Sequence, residues 1–162
     1  MPIGSYIRKN NPVVSDMNAK VLQFCLICIF LLSGCEEKVP SVAERIQKLY
    51  TVQTVTHDNA TVYTAGAAGN LVPEYSSYRL DLSSVGRVSL RDITGETFSG
   101  TYTATDNTLT LSELSPQPTG SGGTLTYHIT SISDDGKSLV LTASKVSPKT
   151  GNTLNVYTLV AN

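Results

Sequence analysis

The chain has 162 residues and carries 12 Lys and Arg against 13 Asp and Glu, a formal net charge of −1. Its charges are scattered without a basic run, so nucleic acid is not an expected partner. There is no tryptophan, and three Phe stand against eight Tyr. Together with abundant Thr and Ser, that is the composition of strands rather than helices.

Chemistry first enters at the N-terminal side. Met17-Asn18-Ala19-Lys20 leads into Val21–Leu32, where only Gln23 is polar, and Leu32-Ser33-Gly34-Cys35 closes the run. A positive start, an apolar middle and small residues before a boundary are the order of an export signal. Twelve helical residues cover about 18 Å against a hydrocarbon core of roughly 30 Å, too little to span a bilayer. Residues 1–16 add length such a signal does not need, so Met17 is the expected start. Cys25 and Cys28 have C-x-x-C spacing but lie inside the apolar run, where they would leave with the signal.

The Leu32–Cys35 motif resembles the lipobox of bacterial lipoproteins. The resemblance implies cleavage between Gly34 and Cys35, acylation of Cys35 with chains such as palmitate, and anchoring in the outer membrane. Which face of that membrane is left open. Glu36-Glu37 resembles acidic signals for surface export and reads equally as a solvated tether. Residues 1–34 are thus an expected signal peptide, 35–40 a tether, and 41–162 one domain. The 128 residues from Cys35 onward hold nine Lys and Arg and twelve Asp and Glu, a net charge of −3. They hold one cysteine, so stability must come from packing rather than a disulfide.

Pro40 followed by Ser41-Val42-Ala43-Glu44 has the pattern of a capping box. A helix of about two turns would carry Val42, Ile46 and Leu49 on one face and plug one end of a sheet or barrel. From Leu49 onward the apolar period becomes two. Strands are predicted at Tyr50–Thr56, Tyr78–Leu82, Arg87–Arg91, Thr97–Thr103, Thr108–Leu111, Leu125–Thr130, Leu139–Ala143 and Leu154–Val160. Most junctions carry turn residues, among them Asp106-Asn107 and Asp134-Asp135-Gly136-Lys137. Eight strands joined by short links form an antiparallel meander, which removes its edges by closing into an up-and-down barrel; a sandwich is the alternative.

The series Tyr78-Arg79-Leu80-Asp81-Leu82, Phe98-Ser99-Gly100-Thr101-Tyr102 and Asn107-Thr108-Leu109-Thr110-Leu111, closing on Tyr157-Thr158-Leu159-Val160, resembles the lipocalin-like domains of Gram-negative lipoproteins. One departure is Tyr50, where that family often has tryptophan. The resemblance implies a barrel and a tether and carries over no catalytic residue.

Inward positions would be Tyr78, Leu80, Leu82, Val88, Leu90, Phe98, Tyr102, Leu109, Leu111, Leu125, Tyr127, Ile129, Leu139 and Leu141. An eight-stranded barrel holds side chains alone or one small ligand. In the second case Tyr78, Leu80, Phe98, Tyr102 and Tyr127 are the candidate ligand-binding residues, the tyrosines offering hydroxyls. Thr64–Glu74 reads as a lid by analogy with lipocalins, or as a plain connection, and Ser115–Gly123 as a Pro/Gly/Ser linker.

Catalytic patterns are missing. Ser115–Gly123 lacks the lysine of a phosphate loop, and Ser121 lacks a nucleophile elbow. His57 and His128 read as solvated surface histidines without metal-ligand spacing, and Asp81, Asp92, Glu96 and Glu113 form no obvious acid/base pair. No enzyme activity, metal or cofactor is expected. The expected function is binding of a small apolar ligand or a protein partner by an envelope lipoprotein. The alternative is a filled barrel acting as a structural accessory to an envelope assembly. Replacing Cys35 by Ser is expected to abolish incorporation of labelled palmitate into the full chain; a variant that still takes up label would remove the acylation site from this account.

Overall fold

The computed structural model describes residues 38–162. The expected signal, its Gly34/Cys35 boundary and Glu36-Glu37 lie outside the described residues. Pro40–Asn162 forms a compact unit of its own. Among the described residues, nine strands follow one short α-helix: α1 (Val42–Arg45), β1 (Leu49–His57), β2 (Ala60–Thr64), β3 (Arg79–Asp81), β4 (Arg87–Arg91), β5 (Thr97–Ala104), β6 (Thr108–Ser115), β7 (Leu125–Ile132), β8 (Ser138–Ala143) and β9 (Asn155–Ala161).

Consecutive strands from β3 to β9 pair antiparallel, and β1 pairs with both β3 and β9. That closes an eight-stranded barrel, the expected architecture, and excludes the sandwich. The closing seam runs from Tyr50 opposite Ala161 to His57 opposite Asn155. Register shifts at Val52/Thr54, Ser99/Thr101 and Ile129/Ser131 bend the wall as closure requires. At the second of these, an added Cβ on Gly100 would lie 2.4 Å from the Ser112 carbonyl oxygen, so only glycine lets β5 and β6 approach there.

The ninth strand is not among the sequence expectations. Asp58 and Asn59 both have positive φ, 47° and 70°, which is the two-residue turn that matches strand twist, and it folds β2 back onto β1. β2 shares one side of β1 with β3: β3 pairs with Leu49–Thr51, and β2 pairs with Thr54–His57.

Alternation places the expected inward set as anticipated, with one exception. Tyr78, Leu80, Leu82, Val88, Leu90, Phe98, Tyr102, Leu109, Leu111, Tyr127, Ile129, Leu139 and Leu141 are buried, and Leu125 is half-buried against them. Tyr50, Val52 and Val55 of β1, Leu114 of β6, and Tyr157 and Leu159 of β9 join the core. Each fully buried Leu or Val contributes roughly 1.5–3 kcal/mol relative to exposure.

One end of the barrel is shut. The Ser41 hydroxyl accepts from the Glu44 amide at 3.3 Å while the Glu44 carboxylate accepts from the Ser41 amide at 2.7 Å, the reciprocal capping box. Val42 and Ile46 are buried. The helix is one turn rather than two, and Leu49 does not join its stripe. Lys48 already accepts from the Leu82 amide, so the chain is extended by Leu49, which lies on the exposed side of β1. The Tyr50 hydroxyl donates to the Gly136 carbonyl at 2.7 Å, and that of Tyr102 donates to the Leu82 carbonyl at 3.2 Å. Burial pushes the Tyr50 pKa up to about 12, so this donor keeps its proton.

Asp134-Asp135-Gly136-Lys137 is a hairpin turn, as expected: Gly136 donates to the Ser133 carbonyl and the Asp135 carboxylate accepts from the Lys137 amide. Gly136 has φ 68°, and an added Cβ would lie 2.1 Å from the Arg45 carbonyl oxygen. Gly136→Ala is therefore expected to cost about 2–4 kcal/mol from left-handed strain plus overpacking. Urea unfolding followed by circular dichroism measures it, and an unchanged midpoint would mean that α1 does not seat on this turn.

Candidate functional site

The opposite end carries Asp92–Glu96, the two longer links Pro116–Thr124 and Ser144–Leu154, the β1–β2 hairpin and the segment entering β3. Among them lies a cavity of about 240 Å³, lined by Tyr75, Tyr78, Phe98, Tyr127, Tyr157 and residues of the surrounding loops.

Tyr75 is the residue that sequence periodicity misses. It belongs to a 3-10 helix, Pro73–Ser77, and is 1% exposed. β3 is only three residues long, so the segment preceding it folds inward instead of extending the wall, and Tyr75 enters the core. The loop before it is pinned by Asn70. Its side chain accepts from the Thr64 amide at 2.8 Å and donates to the carbonyls of Thr64 and Ala67. Thr64–Glu74 is thus an ordered lead into a buried aromatic anchor.

The floor of the cavity is aromatic. Tyr78 and Tyr157 stack at 5.2 Å with an interplanar angle of 20°. Tyr75 meets Tyr157 edge-on at 6.1 Å, and so does Tyr127 at 6.1 Å. These are favourable aromatic geometries, each contributing about 0.5–1.5 kcal/mol beyond area burial. The Tyr157 hydroxyl accepts from the Asn155 side-chain amide at 3.2 Å, and Asn155 is itself held by the Thr150 and Thr153 hydroxyls. The Tyr75 hydroxyl lies 2.8 Å from His57 Nε2. The Tyr78 hydroxyl is buried without a hydrogen bond of adequate geometry, although the Tyr127 hydroxyl is near enough to influence its ionisation. Burial raises the pKa of all four tyrosines, so each hydroxyl remains protonated across the neutral range.

A charged pair sits at the mouth. Lys149 Nζ is 2.5 Å from Asp92 Oδ2, 3.8 Å from Glu96 Oε2 and 5.0 Å from the centroid of the Phe98 ring. Burial would raise the Asp92 pKa, but hydrogen bonds from Lys149 and Thr94 prevail and hold it below the ordinary value. Asp92 and Glu96 therefore act as counter-ions to one lysine. Among the described residues, no group of three or more His, Cys, Asp or Glu is placed to hold a metal ion.

Of the sequence-predicted candidates, Tyr78, Phe98 and Tyr127 line this cavity. Leu80 and Tyr102 do not; both are buried, and Tyr102 serves the shut end through its bond to Leu82. Two expectations need correction. Ser115–Gly123 is not a loose linker, because Pro118 is buried, the Ser121 amide and hydroxyl both bond the Pro118 carbonyl, and Leu114 bonds Gly123 across the loop. His128 is exposed as expected, but His57 is half-buried and bound to Tyr75 rather than solvated.

No family model and no curated protein matches the chain. Among solved structures it is similar to a lipocalin-like protein from Bacteroides uniformis ATCC 8492, at 13% identity over 73% of this chain and 99% of that one, TM-score 0.48. It is also similar to an uncharacterized protein from Bacteroides eggerthii DSM 20697, at 13% identity over 71% and 98%, TM-score 0.44. The barrel assignment rests on the strand pairing of this chain itself.

Burial lowers the His57 pKa, with Asp58 opposing it weakly. A depressed folded pKa stabilises the fold above the unfolded value near 6.5 and is lost as pH falls through the folded one. His57→Gln is therefore expected to lose less stability than the parent between pH 7 and about pH 5. Equal losses of unfolding free energy in the two proteins between these pH values, measured by denaturant titration, would show that His57 does not titrate against the fold.

Proposed function

We propose that this chain is an envelope lipoprotein, anchored to the outer membrane through acylated Cys35, whose lipocalin-like barrel receives a small apolar molecule at its open end. The observation that carries the proposal is the aromatic cavity. Its floor presents ring faces and edges, and its rim is made of loops that hold their own hydrogen bonds. A preformed apolar pocket with few polar groups binds without large ordering costs. Below it the barrel is packed with Leu, Val and Tyr side chains, which limits the ligand to the upper part of the interior. The lipobox-like Leu32–Cys35 run supports the anchor.

Titration of the full chain with a small apolar fluorophore tests this directly. Saturable binding in the micromolar range is expected, lost on Tyr157→Ala, which removes the central ring of the floor, and kept in Arg79→Ala, outside the cavity lining. Equal binding by both variants would place the fluorophore elsewhere.

A further inference from the structure

The chemical class of the ligand can be narrowed from the polar groups of the cavity, on the premise that the cavity is a binding site. We infer that it takes a neutral, flat, ring-containing molecule that presents one hydrogen-bond-accepting oxygen to the Tyr78 hydroxyl.

Three observations converge. The first is shape. Tyr78 and Tyr157 are stacked, and Tyr75 and Tyr127 close the sides with ring edges, so the walls offer flat contacts that suit another ring better than a branched chain. The volume of about 240 Å³ lies below the roughly 300–1,000 Å³ of drug-sized sites, which selects a small occupant.

The second is hydrogen bonding. Tyr75 has His57 and Tyr157 has Asn155, but the buried Tyr78 hydroxyl makes no hydrogen bond of adequate geometry, its polar neighbour being the Tyr127 hydroxyl. A buried polar group left unmade is expensive, and a ligand oxygen arriving within reach recovers that loss. Held protonated by burial, Tyr78 is a donor at neutral pH.

The third is charge. A carboxylate on the floor would need a desolvated cation beside it. Lys149 is already engaged by Asp92 and Glu96, and Lys145, the other cation of the lining, is exposed. The mouth therefore supplies no free cation at depth, which disfavours anions and leaves a neutral acceptor as the matching group.

Three shape-matched probes separate the possibilities: methyl naphthyl ketone, isopropylnaphthalene and naphthoate, each titrated against the full chain while its melting temperature is followed. The ketone should bind tightest. Tyr78→Phe should weaken the ketone about tenfold, to the level of the hydrocarbon, and leave the hydrocarbon unchanged, which also shows that the variant is folded. Naphthoate binding as tightly as the ketone, or Tyr78→Phe changing all probes alike or none, would overturn the inference while sparing the cavity. If no probe binds, the cavity proposal falls and this inference falls with it.

Discussion

The antiparallel seam between β1 and β9 is the constraint on which everything else depends. It converts a meander with two exposed edges into a closed wall, so that backbone donors and acceptors along both strands are satisfied by one another. Closure also decides which side chains face inward. Once His57 stands opposite Asn155 and Tyr50 opposite Ala161, alternation leaves Tyr157 and Leu159 of β9 inside with Val52 and Val55 of β1. The same strand then serves both ends. Tyr50 reaches Gly136 at the shut end, and His57 holds Tyr75 at the open one.

The two ends differ because their connections differ in length and chemistry. At the shut end the turns are tight, and α1 lies across them with its backbone against Gly136. Apolar burial there is complete, with Ile46, Tyr50, Leu82 and Leu139 all fully buried. At the other end, loops of several residues cannot pack flush over a barrel of this width. The space they leave is bounded by rings, of which Tyr75 and Tyr157 have their hydroxyls tied to neighbouring side chains. An apolar space with a polar atom in its wall is what a binding site requires, and an end filled as tightly as the shut one would offer neither.

Much of the wall was legible from sequence because a half-buried strand writes its exposure directly as period two. Tyr78-Arg79-Leu80-Asp81-Leu82 and Thr108-Leu109-Thr110-Leu111 need no partner to be read, and the capping box at Ser41 and Glu44 is local by nature. β2 escaped because its turn, Asp58-Asn59, lacks the glycine that usually marks such hairpins. Tyr75 escaped for a deeper reason: its burial follows from where β3 stops, which no local pattern encodes. The Lys149–Asp92 pair spans 57 positions, and the Tyr75–His57 contact joins a 3-10 helix to a strand end. Such contacts exist only after closure. Alternation puts all five candidate site residues on the inward face, but Tyr78, Phe98 and Tyr127 line the cavity while Leu80 and Tyr102 lie lower in the barrel, a distinction of height that alternation does not carry.

Hydrogen exchange of the backbone amides of β1 and β9 tests closure most directly. If the seam holds the barrel together, the paired amides of Thr51–His57 and Asn155–Val160 will exchange together and as slowly as those of the central strands β5 and β6. Rapid exchange along β9 or along the β9-facing side of β1, with β5 and β6 still protected, would mean an open sheet with free edges and would contradict the account.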